Sequence, residues 1–172
     1  MLVATYALLT LMLEQKCERT SIRQVQERLV QPADARHFDR AGLALRAEQL
    51  ILFAESRHQL RLETSLLPAL REAAADAGTA LRTLDDLGRA GRKMLPRIRA
   101  VLRPTALPGR RQIALACRTL QAYCQNLIDR LACEEQVLLP LAQRVLPSDA
   151  WFKMGAQFLL QDADREASAH SA

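Results

Sequence analysis

The stretch from Tyr123 to Trp151, YCQNLIDRLACEEQVLLPLAQRVLPSDAW, most narrows what this chain can fold into. Its apolar residues recur at helical spacing, it carries paired acids, and a proline, a stop and a new helix start follow. An earlier stretch, SRHQLRLETSLLPAL from Ser56 to Leu70, echoes it. In each, an acid stands five residues before a proline: Glu63 before Pro68 and Glu135 before Pro140. In each, a polar residue stands ten before that proline, His58 in one and Arg130 in the other. Such an echo implies a bundle built from two similar helical hairpins.

Composition agrees with helices. Of 172 residues, 49% are hydrophobic but only 4% aromatic, and Leu, Ala and Arg are strong helix formers. The length fits one domain. The net charge of +5 comes from arginines scattered among acids, which reads as a mixed-charge solvated surface. No basic patch is interleaved with aromatics, so nucleic-acid binding is not expected. Cys17, Cys117, Cys124 and Cys133 form no CxxC pair and read as reduced thiols. The apolar start, MLVATYALLTLML, lacks a basic leader segment and is too short to span a bilayer. It reads as the buried start of a first helix in a cytoplasmic protein without membrane contact.

Helix one is expected from Val3 to Leu29, with Tyr6, Leu9, Leu13, Cys17, Ile22, Val25 and Leu29 facing inward. Helix two runs from about Ala33–Phe38 to Glu72, its inner stripe being Leu43, Ala47, Leu50, Ile51, Ala54, His58, Leu62, Leu66 and Leu70. Pro68 and Pro140 should each bend or interrupt their helices. Helix three ends at Leu102 and holds Pro96, which should kink it. After the loop 103–109, helix four runs from Arg110 to Val145. Pro147 stops it, Ser148 caps a short fifth helix packed on an end of the bundle, and a polar frayed tail runs over 162–172.

The Tyr123–Trp151 stretch resembles the hemerythrin-like (HHE cation-binding) proteins, in which two helices carry His-x-x-x-Glu followed by an apolar run and a Leu-Pro or Phe-Pro. The resemblance implies an all-α, antiparallel up-down-up-down four-helix bundle over residues 1–161, including the short fifth helix. It also implies where iron ligands would stand: Gln15 in helix one, His58 and Leu62 in helix two, Gly78 in helix three, and Asn126, Arg130 and Glu134 in helix four. Of these only His58 and Glu134 retain a ligating side chain, and a permanent cation at Arg130 opposes a metal beside it.

The expected molecule is therefore a degenerate member of that family with no metal and no cofactor. Arg130 supplies positive charge where iron would sit, pairing with Glu134 one turn on and with Glu14, while Leu62 fills its position by packing. His58 reads as a hydrogen-bonded core residue. With no nucleophile–base pair and no phosphate loop, the chain reads as a non-enzymatic binding or regulatory module, its partner a protein or small ligand. The Leu-rich first turns suit a homodimer. Two alternatives stand beside this: a reduced iron site at His58 and Glu134 that handles oxygen, nitric oxide or iron, and a small-molecule sensor using the vacated core.

Overall fold

A computed structural model describes residues 2–29, 39–73, 78–102 and 110–170. Among them the chain is all-α, with no strand. We number five helices: α1 (Leu2–Leu29), α2 (40–73), α3 (Gly78–Leu102), α4 (110–145) and α5 (Ser148–His170). The loop expected at 103–109 and the start of helix two before Asp39 lie outside the described residues. α3 packs along α4, α5 along α1, and α1 also along α2 and α4. No helix among the described residues is long and apolar enough to cross a membrane.

The echo in the sequence becomes an echo in the backbone. α2 opens into a π turn at Leu62–Leu66 and α4 into one at Glu134–Leu138. Each is followed by Leu-Pro: Leu67-Pro68 and Leu139-Pro140. Proline has no N–H for the regular helical bond and its ring crowds the carbonyl four residues back. Widening the turn before it accommodates the ring without ending the helix. A further π turn, Ala54–His58, lies earlier in α2. In all three the first and fifth residues are buried: Ala54 with His58, Leu62 with Leu66, Glu134 with Leu138.

The helix starts are chemically distinct. Asp39 caps α2, its side chain accepting from the Gly42 amide at 2.8 Å while Arg28 holds the other carboxylate oxygen at 2.8 Å. A Cβ at Gly42 would meet that oxygen at 2.1 Å, so a larger residue there requires the Asp39 carboxylate to shift. α5 begins at Ser148 itself, and the Pro147 carbonyl accepts from Ala150 and Trp151.

The apolar core is divided. One cluster joins Ala7 and Leu11 of α1, Leu66 and Leu70 of α2, Leu81 and Leu84 of α3, Leu138 and Ala142 of α4, and Trp151 and Phe158 of α5. The other joins Ile22 and Val25 of α1, Leu43 and Leu50 of α2, Ile98 and Leu102 of α3, and Leu120 and Leu127 of α4. Along the chain, α1 passes from the first cluster to the second, α2 returns, α3 repeats α1, and α4 repeats α2. Burial of these side chains is the main stabilising term, at about 25 cal/mol per Å² of apolar surface.

Two expectations change. The inner face of α1 carries Ala7, Leu11, Glu14, Gln15, Glu18, Ile22 and Val25, whereas Leu9, Leu13 and Cys17 face outward. The polar groups needed inside set that rotation, and the leucines lose the interior. α5 is neither short nor frayed after Asp162. It continues to His170 and lies along α1, held there by Trp151, Met154 and Phe158 and by ion pairs at Asp162.

Candidate functional site

Between the two apolar clusters lies a layer of buried polar side chains. Glu14, Gln15 and Glu18 enter it from α1, His58, Gln59 and Arg61 from α2, and Arg130 and Glu134 from α4. The π turns contribute directly, since His58 closes one and Glu134 opens another. Gln59 and Arg61 lie in the short α-helical stretch between the two π turns of α2, and both are buried beside buried neighbours, His58 and Leu62.

His58 is the centre. Its Nε2 lies 2.7 Å from Glu134 Oε2 and its Nδ1 lies 3.3 Å from Glu14 Oε2. A ring with a carboxylate on each nitrogen must donate from both, which only the imidazolium can do. Burial alone would push its pKa down, but the charge and hydrogen bond of Glu134 and the bond from Glu14 raise it to about 10. Burial would likewise raise the Glu134 carboxyl. The His58 cation, the 3.1 Å bond from Gln15 Nε2 and the charge of Arg130 instead hold it below the usual carboxylate range. Glu14 behaves in the same way: against burial, His58, Arg61 and Arg57 hold its carboxyl low.

Two guanidiniums complete the layer. Arg61 donates to Glu14 Oε1 at 2.7 Å and to Asp162 on α5, and stacks 4.9 Å from the centre of the Phe158 ring. Arg130 donates to Glu55 Oε1 at 2.9 Å and to Gln59. Tyr123 donates to the same Glu55 oxygen at 3.1 Å. Glu18 differs from Glu14 and Glu134 in its titration: burial raises its carboxyl to about 7, and its Oε2, like Oε1 of Glu134, is buried with no hydrogen-bond partner. The buried cations His58, Arg61 and Arg130 face the carboxylates Glu14, Glu55, Glu134 and Asp162.

The predicted site residues separate into those brought together and those that stand apart. Gln15, His58 and Glu134 meet as described, and Leu62 is buried in the apolar cluster adjoining the layer. Arg130 is internal, but the expected partner is corrected. Its hydrogen bonds go to Glu55 and Gln59 on α2, while Glu134, one turn along α4, accepts from His58 and Gln15 on Oε2 and leaves its buried Oε1 without a partner. Asn126 is buried yet turns to α3, donating to the Leu87 carbonyl at 3.0 Å, and a Cβ on Gly91 would reach its Oδ1 at 2.7 Å. Gly78 is no part of the layer. It is the first residue of α3, and a Cβ there would meet only the Arg82 side chain.

Sequence reasoning did not single out Glu18, Glu55, Gln59, Arg61 or Asp162. A signal existed for Glu18. Positions 7, 11, 14, 15, 18, 22 and 25 follow helical steps across an otherwise apolar face. A signal existed for Arg61 too, since positions 54, 58, 61 and 65 step by four, three and four along α2 and all four are buried.

The layer does not suit iron. Both imidazole nitrogens are engaged by carboxylates, two permanent cations occupy the same level, and amides are weak iron ligands. Among the described residues no group of three or more His, Cys, Asp or Glu side chains is arranged to hold a metal ion. No family model, curated protein or solved structure matches the chain, so the site is read from its own residues.

Proposed function

We propose that this chain is a degenerate hemerythrin-like four-helix bundle that acts as a non-enzymatic binding or regulatory module. An antiparallel up-down-up-down course of α1–α4 is supported by the opposite order in which successive helices cross the two apolar clusters. The observation that carries the loss of the metal is His58, the imidazole expected to ligate iron, clasped at 2.7 and 3.3 Å between two glutamates. The His58 imidazolium and the Arg61 and Arg130 guanidiniums supply the positive charge that a metal centre would otherwise provide. A hydrogen-bonded charge layer of this kind holds the interior fixed, so recognition falls to the outer surface of the bundle.

Metal content tests the reading. Protein purified without chelator from iron-supplemented cells should contain less than a tenth of an iron per chain, with no visible absorption band and an intact helical circular dichroism spectrum. Iron at one or two per chain, lost in His58→Ala, would overturn it in favour of a protein that handles oxygen, nitric oxide or iron.

A further inference from the structure

The positive charge of the chain is not spread evenly. Residues 87–128, from the middle of α3 to the middle of α4, hold nine of its 24 basic residues and none of its 19 acidic ones. The other 15 basic residues face all 19 acids, so the rest of the molecule carries −4. On α3, Arg89, Lys93 and Arg97 recur every fourth residue on the exposed side, opposite the buried Leu84, Leu95 and Ile98. On α4, Arg111 and Arg118 stand two turns apart on the exposed side, opposite the buried Ile113, Ala116 and Leu120. α3 and α4 pack along each other, so the two rows lie on neighbouring helices. Of the five, only Arg89 has an ion-pair partner among the described residues, Asp86. Arg92 and Arg99 belong to the α2 side, one paired with Glu63 and the other in a cleft with Glu48 and Glu55. Helix stability does not call for this charge. Arg111 lies in the first turn of α4, where the helix dipole disfavours a cation and no acid offsets it.

We propose that this outer face of the α3–α4 pair docks on the phosphate backbone of duplex nucleic acid. At 1.5 Å per residue, Arg89 to Arg97 spans about 12 Å and Arg111 to Arg118 about 10 Å. About 12 Å of duplex carries roughly seven phosphates, an anion as extended and as repeating as the cations. Four of the five cations are guanidiniums, whose planar fork matches phosphate oxygens two at a time. Tyr123 is the only aromatic residue in 87–128, and it is buried and donates to Glu55. That lack excludes stacking on single-stranded bases but not contact with a backbone. Leu115 is the only large apolar side chain exposed among the described residues of 87–128. A helix lying on a membrane buries a whole apolar face, which this surface does not offer. The −4 on the remainder of the molecule turns this face toward a polyanion during approach. The inference rests on the chain being a binding module, and it gives the outer surface of that module a partner.

The test is a fluorescein-labelled DNA duplex of about 20 base pairs, titrated with the full chain at a series of salt concentrations and followed by anisotropy. Saturable binding is expected, with the logarithm of the association constant falling against that of salt at a slope of about −4.5, as five neutralised phosphates require. Lys93→Ala combined with Arg97→Ala should weaken binding at least about tenfold and make the slope shallower by about 2. Arg144→Ala combined with Lys153→Ala removes the same charge from exposed positions outside the face and should leave the slope unchanged. If the Lys93 and Arg97 variant loses its helical circular dichroism, Arg111→Gln combined with Arg118→Gln replaces it, with the same loss expected. No saturable binding, equal losses in the face and control variants, or tighter binding to phosphatidylserine vesicles than to the duplex overturns the proposal. Such a failure leaves the iron content untouched, so the two readings fall separately.

Discussion

Arg130 concentrates what a single side chain does here. It is almost wholly enclosed, and its hydrogen bonds go to Glu55 and Gln59 across the α2–α4 contact. Taking one member out of a buried pair leaves the other charged and unsolvated, which costs more than the pair itself contributes. Arg130→Met should therefore lower the unfolding free energy by about 3 kcal/mol, measured by urea denaturation. A change below about 1 kcal/mol would mean that Glu55 relaxes outward into water. The internal position of Arg130 was expected from the resemblance, which sets a ligand there, and from its place ten before Pro140, which echoes His58 before Pro68. Its partner was not. Glu134 one turn on is the local choice, whereas Glu55 comes from a different helix whose π turn at Ala54–His58 sets its direction.

At the scale of elements, α5 departs most from what its sequence suggests. Small and polar residues after Asp162 look like a fraying end, yet Asp162 receives hydrogen bonds from Arg61 and Tyr6, and Gln161 accepts one from Arg61 at 3.3 Å. Arg61 has no exposed surface. Ending the chain after Leu160 should remove its Gln161 and Asp162 acceptors, leaving it Glu14 alone, and lower the thermal midpoint by more than 5 °C, roughly 2 kcal/mol for a chain of this size. A truncated protein melting with the full chain would show the last turns to be dispensable. The stripe of α2 was readable because its leucine spacing survives the π turns. The face of α1 was misread because leucine count favoured Leu9 and Leu13, whereas three polar partners, Glu14, Gln15 and Glu18, required the opposite rotation. No local pattern conveys such a requirement, since it arises only when α2 and α4 are in place.

For the whole molecule, the layer makes stability depend on pH with a definite sign. Glu18 has its carboxyl raised from 4.5 to about 7, and His58 is raised from 6.5 to about 10. In both cases the folded state holds a proton that the unfolded chain has released, so stability declines as pH rises through each interval. Glu14 and Glu134 act oppositely: their lowered carboxyls stabilise above about 4.5, and that contribution disappears as pH falls through their folded values. The unfolding free energy should be greatest near pH 4.5 and decline from there, being lower at pH 9 than at pH 5.5 by at least about 1.4 kcal/mol. Urea titrations at pH 5.5, 7 and 9 check this; a flat or rising profile would show His58 to be neutral when folded. The division of the core has a further consequence, for alignment. Two oily ends separated by a charged belt leave α1, α2 and α4 one axial setting each. Sliding α2 by a turn would carry Arg61 and His58 into leucines, with no acid to meet them. The belt thus works as a depth stop, and a chain with leucines throughout would lack it.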